Sequence, residues 1–118
     1  HLHIHSHELD TPWQTVQFCR TTSAARIDAA RALVLDIAWR RANDMDPVPV
    51  HVARTSMAKV TATEAMKFCA DQAVQILGGA GFMRGTASER IYREVKVMTI
   101  GGGTDEVMKT LAADQLGF

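Results

Sequence analysis

Two long segments of helical periodicity, separated by a proline-containing break, constrain the fold of this chain more than any other feature. In residues 13–43, apolar and small side chains recur three and four positions apart. Residues 43–49 include two closely spaced prolines, which cannot continue a helix. A second periodic segment starts at Pro49 or Val50 and ends at Leu77, before Gly78. A connection this short predicts that the two helices pack antiparallel.

The spacing also predicts which side of each long helix faces the core. The predicted stripe on the first helix comprises Val16, Ser23, Ile27, Ala30, Val34 and Ile37. The predicted stripe on the second helix comprises Ala53, Met57, Val60, Ala65, Phe68, Cys69, Ala73 and Ile76, with Met66 as a further core-filling side chain. Asp36 and Arg40 have the acid-first spacing of a surface ion pair.

Two shorter helices are predicted after a loop rich in glycine. Thr86 and Glu89 have capping-box spacing and predict a third helix that ends near Val95. Thr104 can cap a fourth helix that runs nearly to the end of the chain, with Asp105 and Glu106 in its first turn. No segment shows convincing strand alternation. The predicted fold class is therefore all-α, an up-and-down helical bundle.

Composition excludes several functional classes. The 118 residues suit a single domain, and 13 basic residues balance 13 acidic ones, so no basic patch favours nucleic acid. No apolar run is long enough to span a bilayer, and no secretory signal is recognisable. Cys19 and Cys69 lie far apart, without metal spacing, and predict reduced thiols in a cytoplasmic protein.

The chain begins with four histidines at alternate positions, within residues 1–11. In an extended strand they would share one face, where zinc or copper could bind. A tag remnant, a cloning junction or a disordered start is the better interpretation, so no metal site is predicted. We therefore divide the chain into a disordered or extended start, residues 1–11, and a helical domain, residues 12–118.

The glycine run at residues 101–103 opens directly into the predicted fourth helix. Glycines let backbone N–H groups approach a ligand, and the first amides of a helix lack partners within the helix. Phosphates, carbonyl oxygens and ring nitrogens suit such a position. Alone, however, the run is more often a simple turn.

Three segments in order, residues 73–82, 89–94 and 100–109, give the run more weight. Together they resemble the C-terminal helical domain of the acyl-CoA dehydrogenase family, and the resemblance extends back through residues 13–18 and 27–31. Enzymes of that family bind FAD and oxidise the Cα–Cβ bond of an acyl-CoA thioester. A carboxylate removes the α-proton while the flavin takes the β-hydride.

The resemblance assigns roles to individual residues. It implies FAD contacts at Gln75, Gly78, Gly79, Thr104 and Glu106, and it places the backbone of Gly103 near the substrate. The stretch of residues 75–79 would reach FAD that is bound mainly by a neighbouring subunit. From the residues alone, an ordinary helix end is the better interpretation of this stretch, and Glu106 equally complements the helix dipole. The resemblance gives Arg93 and Glu94 a structural role.

Gly102 departs from the family pattern, because many members carry the catalytic glutamate at this position. Glycine cannot act as a base. Some branches supply the base from an earlier helix, which this sequence does not contain, nor does it contain the N-terminal helical domain and the middle β-domain. The resemblance therefore implies a fragment, a truncated product or one piece of an assembly, not competent alone and with weak or absent FAD binding.

Alternative functions share this region of sequence. Acyl-CoA oxidases, nitroalkane oxidases and some flavin-dependent monooxygenases are similar here. A catalytically silent helical module, which associates with itself or with a base-bearing partner chain, is favoured by Gly102. In either case, the apolar stripes of a lone copy predict self-association to a dimer or tetramer. Acyl-CoA would be the substrate only in the full-length context.

Overall fold

The structure, a computed structural model, describes residues 12–118, which form five helices and the turns between them. The histidine-rich start lies outside these residues. Two long helices, α1 (Pro12–Ala42) and α2 (Val48–Leu77), are followed by the single turn of α3 (Gly79–Phe82). The chain continues through α4 (Ala87–Met98) and ends in α5 (Asp105–Leu116). The described residues form no strand, which confirms the predicted all-α helical bundle.

The central element of the bundle is α2, because it packs against each of the other four described helices. Its contacts with α1 confirm the antiparallel arrangement. The Cys19 thiol donates to Gln72 Oε1 at 2.8 Å near one end of the pair. Arg54 Nη1 lies 3.6 Å from Asp36 Oδ2 near the other end. Within the described part, α1 and α5 each approach α2 alone.

Charged side chains join α1 to α2 beside the short turn between them. Arg40 Nε lies 3.0 Å from Asp36 Oδ2, which confirms the predicted ion pair. Asp46, whose side chain is only 14% exposed, has its two carboxylate oxygens 3.5 Å from Arg40 Nη1 and 3.8 Å from Arg54 Nε. The positive charges of the two arginines therefore offset the free-energy cost of burying the Asp46 carboxylate, although these distances are too long for hydrogen bonds.

Small side chains dominate the core of the bundle. The buried apolar residues are Ala30, Ile37, Ala53, Ala58, Val60, Ala65, Ala70, Val95 and Ala112. Five of the nine lie on α2, and Ala53 is fully buried. Alanine lets a neighbouring helix approach closely and costs no side-chain entropy on burial. The helices are therefore joined by close backbone approach rather than by large interlocking side chains.

The predicted apolar stripes are only partly buried. Met57 and Met66, predicted to fill the core, are 40% and 39% exposed, and Ile27 and Val34 are also exposed. The prediction was wrong because it assumed a neighbour on every apolar side. With α1 contacting only α2, and with an apolar groove of about 400 Å³ open between α1, α2 and α4, these side chains have no described helix to cover them.

The connections agree with the sequence prediction except at one point. Residues 79–82, predicted as part of a loop, form the turn α3, where the Gly81 N–H donates to the Gly78 carbonyl at 2.9 Å. Thr86 caps α4 as predicted, since its Oγ1 accepts from the Glu89 N–H. The Glu89 carboxylate, however, accepts from Arg93 at 3.3 Å, so the described contacts show only half of the capping box.

We expect the substitution Ala53→Leu to lower the free energy of unfolding by about 1–3 kcal/mol, because a larger side chain at a fully buried position must displace the packed neighbours of α2. Ala29→Leu is the matched control, since Ala29 is exposed on α1. Urea unfolding followed by circular dichroism measures both variants. Equal midpoints for the two variants would contradict the close packing of α2.

Candidate functional site

A lysine of α2 holds the glycine loop, defined here as residues 100–104. The Lys59 ammonium donates a hydrogen bond to the Gly101 carbonyl at 2.7 Å and a second one to the Gly103 carbonyl. Lys59 is half-buried, and its side chain extends from the middle of α2 to the loop. Gly101 lies 42 positions after Lys59 in the sequence. Two alternate carbonyls of the loop are therefore turned towards α2.

This anchoring decides where the N–H groups of the glycine loop point. In a planar trans peptide, the C=O and N–H groups point in opposite directions. Because the carbonyls of Gly101 and Gly103 face Lys59, the N–H groups of Gly102 and Thr104 face away from it. Among the described residues, no acceptor receives the N–H groups of residues 102–106. These groups are available to a ligand.

Two glycines are required by this loop conformation. Gly102 and Gly103 have φ values of 72° and 114°, which residues with a side chain rarely adopt. A Cβ at Gly103 would also collide with the Met108 side chain, whereas one at Gly102 would meet open space. The backbone approach to a ligand that the sequence predicts is therefore geometrically feasible, with Gly102 exposed and Gly103 half-buried.

The start of α5 is fixed by two threonines. Thr104 Oγ1 accepts from the Val107 N–H at 3.2 Å, which confirms its predicted capping role. The Thr63 hydroxyl of α2 lies 3.1 Å from Asp105 Oδ1, and its single proton is shared between this oxygen and the Lys59 carbonyl at 2.9 Å. The Asp105 carboxylate is thus turned back towards α2 rather than towards the exposed side of the loop. Glu106 is exposed and has no described side-chain partner.

The second predicted contact segment, residues 75–79, lies elsewhere on the bundle. Gln75 and Gly79 are exposed, and a Cβ at either Gly78 or Gly79 would meet no atom within 4 Å. The Gly78 N–H is not available to a ligand, because it donates to the Val74 carbonyl at 2.9 Å. Sixteen positions of α2 separate Lys59 from Gln75, which corresponds to about 24 Å of helix axis.

The structure therefore divides the predicted site residues into two groups. It brings together Gly102, Gly103, Thr104 and Glu106, and it leaves Gln75, Gly78 and Gly79 at the far end of α2. The sequence analysis did not single out Lys59 and Thr63. One signal was present for Lys59: a lysine among the alanines of the inward face of α2 needs polar partners for its ammonium. Thr63 gave no such signal, because its hydroxyl can bond to the Lys59 carbonyl of its own helix.

The chemistry available at the glycine loop is donation of hydrogen bonds. Outward N–H groups, the positive end of α5 and the Lys59 ammonium all favour an acceptor with negative charge or a carbonyl oxygen. No side chain of the loop is a base. Within residues 12–118, no three His, Cys, Asp or Glu side chains group as they would around a metal ion. No described helix is long and apolar enough to cross a membrane.

We expect Thr104→Val to lower the free energy of unfolding by about 1 kcal/mol, because the Val107 N–H loses its capping acceptor. Thr104→Ser keeps the hydroxyl and should retain most of the stability. The matched control is Thr110→Val, an exposed position inside α5. Urea unfolding measures all three variants. Equal losses at positions 104 and 110 would show that the cap contributes nothing.

Comparison with known proteins gives the same family throughout the described chain. The family described as "Acyl-CoA dehydrogenase, C-terminal domain" matches residues 12–117. The acyl-CoA dehydrogenase-type protein YngJ of Bacillus subtilis is 36% identical over 104 residues, 88% of this chain and 26% of YngJ. The human mitochondrial short-chain specific acyl-CoA dehydrogenase is 34% identical over 106 residues, 90% of this chain and 25% of the human protein.

A solved structure agrees with these relatives. The crystal structure of a Mycobacterium smegmatis protein described as an acyl-CoA dehydrogenase superposes with a TM-score of 0.83 and is 40% identical, covering 89% of this chain and 27% of that one. The present chain thus spans about a quarter of the length of the proteins it matches. The chain belongs to the acyl-CoA dehydrogenase family, and it corresponds to the C-terminal domain of that family.

Proposed function

We propose that this chain is the C-terminal domain of an FAD-dependent acyl-CoA dehydrogenase-like oxidoreductase, contributing cofactor contacts and oligomer packing. The observation that carries the proposal is the glycine loop, in which the N–H groups of Gly102 and Thr104 face away from Lys59 and have no described acceptor. Because the chain spans about a quarter of its relatives, the α,β-oxidation of acyl-CoA thioesters is proposed for the larger protein.

The residues present fit a cofactor such as FAD. A flavin and its pyrophosphate offer carbonyl and phosphate oxygens, which match the outward N–H groups of the glycine loop. The exposed Gln75 amide can both donate and accept, and Gly79 beside it leaves open space for a ligand. When bound, FAD would supply the acceptor for the β-hydride. This chain would bind and orient it.

We assign the two groups of site residues to two copies of the chain. Thr104 and Glu106 would contact FAD from the loop side, and the Gly103 backbone would approach the substrate. Gln75, Gly78 and Gly79 would contact the FAD of a neighbouring subunit. The separation of Gln75 from Lys59, which holds the loop, by about 24 Å of helix axis supports this assignment, because the two segments would not contact the same end of one FAD molecule.

The α-proton would be removed by a group outside the glycine loop. Gly102 has no side chain that could act as a base, and the Asp105 carboxylate is turned towards Thr63. Glu106 is exposed in the first turn of α5. We therefore infer that another segment of the full polypeptide, or a base-bearing partner chain, carries the carboxylate. Alone, this chain would not oxidise acyl-CoA and would retain little or no FAD.

We also infer a cytoplasmic protein with reduced thiols. Cys19 and Cys69 are free, and the Cys19 thiol donates to Gln72 rather than bonding to sulfur. Reducing compartments keep thiols in this state.

The cofactor assignment is tested in the polypeptide that naturally carries this chain. We expect it to purify with flavin absorbance, and Gln75→Ala to weaken FAD binding about fivefold, since one hydrogen-bonding amide is lost. Gln115→Ala is the matched control, because Gln115 is exposed near the end of α5. Colourless protein that does not bind added FAD would contradict the proposal.

Reduction of an artificial electron acceptor, compared with consumption of oxygen, distinguishes the related chemistries. A dehydrogenase should reduce the artificial acceptor with acyl-CoA and react slowly with oxygen. Rapid oxygen consumption with acyl-CoA would identify an acyl-CoA oxidase relative instead. Oxygenation of a different substrate would identify a flavin monooxygenase.

A self-associating module without catalysis is the second candidate, and Gly102, which supplies no base, favours it. Its interface would be the surface of α1. The exposed large apolar side chains of this helix are Trp13, Phe18, Ile27, Val34, Leu35 and Trp39. Apolar surface of this extent on one helix is typical of an interface. The same surface would serve oligomer packing in the leading proposal.

We expect sedimentation velocity of this chain to give the mass of a dimer or tetramer, because burial of these side chains stabilises association. Leu35→Glu, in the exposed stripe, should shift the distribution towards monomer. Asp114→Lys, a charge change at an exposed position of α5, is the control. A stable monomer at high concentration would contradict the predicted self-association.

A further inference from the structure

We infer that Lys59 is a positioning residue: its ammonium orients the glycine loop so that the N–H groups of Gly102 and Thr104 face the bound acyl-CoA and FAD. The inference rests on the proposed function, but it concerns a side chain to which that proposal gives no role. Lys59 belongs to α2, a different element from the loop, and is separated from Gly101 by 42 positions.

The first argument is geometric. Lys59 Nζ donates to the carbonyls of Gly101 and Gly103, and the intervening Gly102 has a positive φ of 72°. Two glycines with positive φ permit many backbone conformations, so the loop needs an external contact to select one of them. One ammonium bound to two alternate carbonyls selects the conformation in which the N–H groups of Gly102 and Thr104 face outward.

The second argument is electrostatic. A cation at the carbonyl ends of the two peptide units polarises them in the direction that makes their N–H ends better donors. The positive end of the α5 dipole acts on the same ligand position. Lys59 thus strengthens donation without touching the ligand, which is why we call it a positioning residue rather than a catalytic one.

A third observation shows that α2 fixes the loop at two points. One turn after Lys59, the Thr63 hydroxyl donates to Asp105 Oδ1 at 3.1 Å, directly beyond the loop. Thr63 is buried, with 5% of its surface exposed, and Asp105 is half-buried. The Thr63 proton is shared with the Lys59 carbonyl at 2.9 Å, so the contact with Asp105 restrains the far end of the loop only in part. The two hydrogen bonds from Lys59 therefore supply the stronger restraint on the loop.

The test compares Lys59→Met with Lys59→Arg in the full polypeptide. Methionine keeps an unbranched chain of similar length but removes the charge and the donors, whereas arginine keeps both. Lys67→Met is the matched control, since Lys67 lies two turns further along α2, is exposed and makes no described hydrogen bond. Melting temperatures of all variants report whether each one folds.

The first readout is hydrogen–deuterium exchange of the peptide covering residues 97–104, which needs no ligand. We expect about tenfold faster exchange in Lys59→Met, because the N–H groups of Thr99, Ile100 and Gly101 are bonded at the end of α4 and open more often once the loop is released. Exchange equal to that of Lys67→Met would overturn the inference.

The second readout is the dissociation constant of acyl-CoA in the FAD-loaded protein. We expect Lys59→Met to weaken binding about tenfold and Lys59→Arg to remain within about threefold of the unsubstituted protein. Affinity as low in Lys59→Arg as in Lys59→Met would show that donation is not the function of Lys59. If the unsubstituted protein binds neither molecule, the proposed function fails, while the exchange measurement still decides the role of Lys59.

Discussion

Close packing against the alanine-rich surface of α2 is the constraint on which the rest of this structure depends. Ala53, Ala58, Ala65 and Ala70 are buried along one helix, and each other described helix is placed by its contact with that helix. Because α1 and α5 contact no described helix except α2, the position of each of them in the bundle depends on its packing against α2. A change in the α2 surface therefore alters the arrangement of the bundle and not merely one contact.

The same helix also places the candidate site. Its inward face carries Lys59 and Thr63, which fix the glycine loop and the start of α5, and its end carries Gln75 and Gly78. The packing of the bundle and the proposed ligand contacts thus depend on the same helix. The exposed apolar side chains of α1 agree with this view, because a helix that covers α2 on one side leaves its other sides for further chains or domains.

Local signals in the sequence predicted most of the fold. Proline and glycine marked the ends of the long helices, and the hydroxyls of Thr86 and Thr104 marked two helix starts, because capping depends on neighbouring residues. The sequence indicated that Lys59 needs partners but not which segment supplies them, and it did not indicate the exposure of Met57, since both depend on which distant element lies opposite. The turn at Gly79–Phe82 was missed because glycine disfavours a helix locally, whereas Ser88 stabilises the turn by donating to the Gly81 carbonyl at 2.9 Å.

The length of α2 fixes the distance between the two groups of proposed site residues. Lys59 and Gln75 are joined by uninterrupted helix, so one inserted residue between them would move their side chains by about 1.5 Å along the axis and about 100° around it relative to each other. Substitutions in residues 60–74 can change the packing while the spacing stays constant. Under the proposed function, the length of this segment is constrained more strictly than its composition, and related chains that share both groups should differ here in residue type but not in residue number.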